Sequence, residues 1–184
     1  DRIDVVASDG STAAAAPILP TPVPEVATCG PISTNIGETD HIAGNAEAAV
    51  TIIEYADLQC PSCAALHPEL KKTMEAVSNT VRLVYRHFPL TQIHDKALLA
   101  AHAAEAAHLQ GKFSEMVDAL YTQQTTWDKK TVAEFTATVK TIAGELKLDA
   151  DKLEADMASP AVIERVQRDI NSGMSLQVAG TPSL

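Results

Sequence analysis

The sequence predicts an α/β protein, and three observations predict it. A strand rich in β-branched residues, Val50-Thr51-Ile52-Ile53-Glu54-Tyr55, leads toward a helix that begins at about Pro61. A second strand, Val81 to His87, follows that helix. Beyond it, from about Asp95 to Leu176, the pattern is nearly all helical. At the first strand-to-helix junction sits Cys60-Pro61-Ser62-Cys63, and the other elements are read around it.

The chain has 184 residues, enough for one domain of ordinary size with a sizeable core. Formal net charge is −10. With no Lys/Arg cluster, this argues against a nucleic-acid partner. No apolar run approaches the roughly 20 residues that a membrane helix needs. The first residue is Asp1 rather than Met, so the sequence reads as a mature form or a fragment, with any signal or anchor upstream. Three cysteines are few for a disulfide-stapled scaffold.

Residues 1–40 read as a flexible leader or tether. Ala13 to Ala16 is a small-residue run, and Pro17, Pro20, Pro22 and Pro24 favour extended chain. A disordered tail and a spacer from a membrane anchor fit this stretch equally. Cys29 lies near its end, as an incidental thiol or a site for pairing with another chain. Residues 41–49, with Gly44-Asn45 as a turn signal, lead into the first strand. In that strand Val50, Ile52 and Glu54 share a face. Glu54 therefore points with two aliphatics, and a buried carboxylate needs a partner or an altered pKa. A strand-end Glu reaching solvent is the plainer alternative.

The helix after Cys60 runs to about Val77 and contains Pro68, which should kink it. After the second strand, Lys96 to Gln110 is Ala- and Leu-rich and stops at Gly111. Lys112 to Thr122 puts Phe113, Met116, Val117 and Leu120 on one face. Trp127 falls in the next loop or cap. Lys129–Leu146, Asp149–Met157 and Pro160–Leu176 complete the helices, with Pro160 in a first turn. His102 and His108 are not at i, i+4 spacing and read as ordinary helix residues. The chain closes on Val178 to Leu184, as though another strand were beginning.

Two cysteines one helical turn apart lie about 5 Å from each other, within reach of a disulfide. A helix N-terminus also favours a thiolate. Metal binding needs more ligands than the sequence places at suitable spacing. A static disulfide closing so short a loop constrains the unfolded chain little. Redox exchange is the reading that uses all three features, and spacing alone leaves the other two open.

Ile53-Glu54-Tyr55-Ala56-Asp57-Leu58-Gln59-Cys60-Pro61-Ser62-Cys63 resembles the active-site segment of bacterial DsbA-like thiol:disulfide oxidoreductases, members of the thioredoxin superfamily. His41 to Val50 resembles the family's lead-in, and Tyr85-Arg86-His87-Phe88-Pro89-Leu90 the run after its next strand. Pro68 and Gly180-Thr181-Pro182 resemble its helix-kinking proline and its cis-proline loop. The resemblance covers about 41–184. It implies a thioredoxin fold: residues 41–94 as its N-terminal part, 95–176 as an inserted helical subdomain, and 177–184 as the start of its C-terminal part. It also implies that two strands and a helix should follow the cis-proline, so that the chain looks truncated at Leu184.

The resemblance further implies a catalytic disulfide, Cys60-Cys63, with no other cofactor and no metal. Cys60 would be the exposed nucleophile and Cys63 the buried resolving cysteine. Glu54 would be the acid beneath them. Pro61 and Ser62 would tune the potential, and a Ser62 hydroxyl in place of a histidine points to a milder oxidant. Thr181 and Pro182 would hold an extended substrate. Expected partners are reduced, unfolded exported proteins and a membrane quinone-linked thiol oxidase of the DsbB or VKOR type. The expected location is the periplasm or the extracytoplasmic face of the cell envelope, free or on a membrane tether. A reductase or isomerase on the same fold, and a non-catalytic binding or metal-delivery module, are the alternatives.

Overall fold

The computed structural model describes residues 36, 37 and 39–184. The leader up to residue 35, Cys29 included, lies outside the described residues. Three strands form one sheet: β1 (His41–Gly44), β2 (Val50–Ala56) and β3 (Val81–His87), in the order β1-β3-β2. β2 and β3 are parallel, as a strand–helix–strand crossover requires, and β1 is antiparallel to β3. The crossover helix is α1 (Pro61–Val77), which runs unbroken through Pro68.

Strand β1 corrects the sequence reading, which made residues 41–49 only a lead-in. His41–Gly44 is too short for periodicity to show, and its pairing with Arg82–Tyr85 comes from elsewhere in the chain. The turn signal itself holds. Gly44 has φ +93°, and a Cβ there would lie 2.7 Å from the Val81 carbonyl oxygen. Asn45 then caps the turn, its side chain accepting from the Glu47 amide at 3.0 Å.

Six helices follow β3: α2 (Ala97–His108), α3 (Phe113–Thr122), α4 (Gln124–Trp127), α5 (Val132–Glu145), α6 (Ala150–Met157) and α7 (Pro160–Ser175). Their starts follow sequence chemistry. Thr131 and Glu134 form a capping box for α5, and Asp149 and Ser159 cap α6 and α7 with their side chains. Helix α2 is the axle, packing against α3, α6 and α7. Seven of its alanines (Ala97, Ala100, Ala101, Ala103, Ala104, Ala106 and Ala107) are at most 2 % exposed, so neighbouring helices approach its backbone closely. Trp127 is a second correction. It is fully buried at the end of α4 rather than in a loop, its ring against Phe135 and its indole N–H donating to the Leu120 carbonyl at 2.7 Å.

A buried ionic network ties the sheet to α2 and α7. Arg86 of β3 pairs with Asp40 at 3.1 Å, and Asp169 of α7 accepts from the His87 backbone amide at 3.0 Å and pairs with Arg165 at 2.5 Å. Glu105 of α2 accepts from His41 Nε2 at 2.8 Å and lies 3.2 Å from His87 Nε2. The His108 ring packs edge-on to His41 at 4.7 Å.

Candidate active site

Burial along β2 rises toward its C-terminal end. Val50 is 52 % exposed, while Glu54, Tyr55 and Ala56 are all buried. Glu54 is thus buried by its position near the end of the strand, not by a face shared with Val50. The solvent-reaching alternative does not occur: Glu54 is 2 % exposed. It stands opposite Tyr85 in the sheet register, and the Tyr85 and Tyr121 hydroxyls are 3.3 Å apart. Burial alone pushes the Glu54 carboxyl up to about 7. Glu54 also lines a 780 Å³ pocket between α1, β1 and α3.

Between β2 and α1 the chain turns through Asp57-Leu58-Gln59. Asp57 organises the turn. Its carboxylate accepts from the Gln59 amide at 2.7 Å, the Leu90 amide at 2.9 Å and His94 Nδ1 at 2.6 Å. Its carbonyl accepts from the Cys60 amide at 3.1 Å. Gln59 extends the hold to the helices, donating to Asp95 and Asp128 and accepting from the Lys96 amide at 2.7 Å. From α4, Gln124 donates to the carbonyls of Leu58 and Cys60.

This scaffold sets Cys60 at the N-cap of α1 with extended backbone (φ −74°, ψ 122°), and Pro61 occupies the first helical turn, where its missing N–H costs nothing. Pro61 and Ser62 are exposed. Cys60 is 7 % exposed, so the structure buries the residue that the resemblance implied to be exposed, and Cys63, in the first turn, is 0 % exposed. Both are free thiols. Burial pushes the Cys63 thiol up to about 12, although the Asp57 backbone amide and the Thr181 side chain pull it partly back.

The far segment completes the site. The Thr181–Pro182 peptide is cis. Ser183 pairs with Tyr55 on the β2 edge, at 2.8 and 3.1 Å. That pairing holds the loop over the cysteines, where the Cys60 thiol donates to the Thr181 carbonyl at 3.4 Å. The structure therefore brings Cys60, Cys63 and Thr181 together, with Tyr85 and Tyr121 near Cys63 and Glu54 opposite Tyr85 in the sheet. The sequence reading had no role for Asp57, Gln59, His94 or Gln124. An Asp two residues before a polar amide, just ahead of a helix, is an Asx-turn signal that could have found Asp57. Gln124 has no local signal.

A family model for thioredoxin matches residues 36–184. The chain belongs to the thioredoxin family. A solved thioredoxin-like oxidoreductase from Silicibacter pomeroyi is 32 % identical, with a TM-score of 0.68 over 80 % of this chain and 79 % of that one. DsbA2 of Pseudomonas aeruginosa is 28 % identical, with a TM-score of 0.65 over 78 % of this chain and 77 % of that one. At 22 % identity, alpha-DsbA1 of Wolbachia pipientis shares the fold, with a TM-score of 0.68 over 80 % of this chain and 74 % of that one. The fold is that of DsbA-like thiol:disulfide oxidoreductases, with its helices between β3 and the cis-proline segment. Among curated proteins, a Na(+)/H(+) antiporter NhaA of Salinispora tropica is 37 % identical over 146 residues, 79 % of this chain. This chain spans about a fifth of that relative's length, 21 %. Among the described residues no helix is long and apolar enough to cross a membrane.

Proposed function

We propose that this thioredoxin-family protein is a thiol:disulfide oxidoreductase that passes its Cys60–Cys63 disulfide to exported proteins. The observation that carries the reading is the pair itself: Cys60 at the α1 N-cap against the Thr181 carbonyl, and Cys63 one turn deeper, fully buried. A substrate thiolate attacks Cys60 Sγ, the Cys60–Cys63 bond breaks, and the electron pair leaves on Cys63. Burial makes Cys63 hold a proton strongly, so its leaving thiolate takes one up. Glu54, with its carboxyl at about 7, is the proton donor on that side of the site. A second substrate thiolate then attacks the substrate sulfur of the mixed disulfide and releases Cys60. Two electrons pass from the substrate dithiol to the protein. The Thr181 backbone and Pro182 hold the substrate chain beside Cys60. A membrane quinone-linked oxidase of the DsbB or VKOR type restores the disulfide.

We place the protein on the extracytoplasmic side of the cell envelope. Its DsbA-like neighbours support this setting, and the antiporter relatives, in which the matching region is about a fifth of a longer chain, support a position beside a membrane.

The test is oxidation of a reduced, unfolded ribonuclease by the oxidised protein. One disulfide should form per protein molecule, and none with Cys60→Ala. Activity surviving in Cys60→Ala would overturn the assignment. A reduction potential near about −270 mV, rather than toward about −120 mV, would make the protein a reductant instead.

A further inference from the structure

We infer that Gln124 is a positioning residue for the redox centre, acting through the backbone that carries Cys60 to stabilise the reduced form. The inference rests on the oxidoreductase reading above and adds a residue to it. Gln124 is 5 % exposed and belongs to α4, a four-residue helix 64 positions beyond Cys60. Its amide group donates to the Leu58 carbonyl at 2.8 Å and the Cys60 carbonyl at 3.0 Å.

The position of that amide is imposed from behind. The Trp127 indole, fully buried one turn later, is pinned to the Leu120 carbonyl and packed on Phe135. The Trp127 backbone amide also bonds to the Gln123 carbonyl at 3.2 Å. The backbone that carries Gln124 is thus anchored, and its NH2 group bonds the two loop carbonyls.

The consequence is electrostatic. Carbonyl oxygens are the negative ends of peptide dipoles, and Cys60 has several near it. Its thiol already faces the Thr181 carbonyl at 3.4 Å. Its own carbonyl accepts from the Ala64 amide at 3.1 Å, as the first bond of α1, and from Gln124 as a second donor. The Gln124 amide offsets two of these negative ends with the positive end of a side-chain dipole, in a buried setting where such dipoles act strongly. When a mixed disulfide is released Cys60 sulfur departs as a thiolate, a negative charge that the intact disulfide lacks. Gln124 thus favours the reduced form and makes the protein a stronger oxidant. Removing the amide should do the reverse, and should also leave two buried carbonyls without this donor.

The measurement is the equilibrium with glutathione. Two glutathione thiols become one glutathione disulfide as Cys60–Cys63 is reduced to two thiols, so atoms, electrons and protons balance. Gln124→Met keeps length and volume without a donor. Its equilibrium constant should shift about fivefold toward the protein disulfide. Gln124→Asn keeps the amide and withdraws it by one methylene, and should shift the same way by less. This milder variant is read in the same assay if the first does not fold. Thermal unfolding of each variant serves as the structural control. A lowered Tm with both constants within twofold of the parent would overturn the inference and leave Gln124 a packing residue. Failure of the parent protein itself to equilibrate with glutathione would instead sink the oxidoreductase reading, which separates the two.

Discussion

Glu54 and Glu105 are both 2 % exposed, yet their surroundings push them in opposite directions. Glu105 accepts from His41, lies 3.2 Å from His87 and sits 3.7 Å from Arg165. These partners outweigh burial and hold its carboxyl well below the usual range. Glu54 lies between the sheet and the cysteine helix, and among the described residues nothing offsets its burial, so its carboxyl rises to about 7. The difference separates a carboxylate built into the architecture from a carboxyl able to give and take a proton near neutral pH. A buried acid without countercharges is held ready to exchange a proton near neutral pH.

The comparison can be broken by removing either acid. Glu105→Leu should cost the most, about 3–5 kcal/mol, because it strips a buried charge from partners arranged around it. Urea unfolding at pH 7 measures it, and a loss below about 1 kcal/mol would show the network to be dispensable.

Glu54→Gln should act the other way. A carboxyl raised in the folded state stabilises it fully below the unfolded value of 4.5, and that stabilisation is lost as pH rises through about 7. The total is about 3 kcal/mol for a rise of this size. His41 and His102, whose pKa values burial lowers, oppose this trend in the same window, since neutral buried histidines lose stability as pH falls. The difference curve between parent and Glu54→Gln isolates the glutamate, and should change between pH 4.5 and 7 and stay flat above. A flat difference throughout would mean that Glu54 is not held protonated. Thiol exchange by the same variant should slow at pH 6, where the parent still has a proton to give.

The smallest effect concerns the helix that closes the Glu105 side. Gly173 of α7 lies against Phe88, and a Cβ would approach the ring to 2.6 Å. Glycine in a helix interior normally gains from replacement by alanine, by about 1 kcal/mol. Here overpacking of about 1–3 kcal/mol should win, leaving Gly173→Ala less stable by about 1 kcal/mol. A rise in Tm would mean that α7 shifts without loss.

Much of this was legible in the sequence. β2, α1 and β3 were, because alternation, a proline at a helix start and aliphatic runs are local signals. So were the cysteines and the Thr181-Pro182 loop, through their resemblance to a family. Strand β1 was not, because His41–Gly44 gains its structure only from β3. Helix α4 was not, because Gln-Thr-Thr-Trp has weak helix propensity and is fixed by the burial of Trp127. Glu105 was hidden among alanines whose pattern announces a helix but not its histidine partners. Gln124 and Gln59 act on groups distant in the chain, and no spacing rule reports a side chain that bonds a remote carbonyl.

The alanine-walled α2 bears on how this protein tolerates mutation. Seven positions there admit nothing larger than a methyl group, because α3, α6 and α7 already occupy the surrounding space. A saturation library selected for function should therefore show these seven α2 positions as depleted of variants as Cys60 and Cys63 themselves. Only a library scored separately for folded yield would tell the two apart: α2 variants would vanish from both, and cysteine variants from function alone.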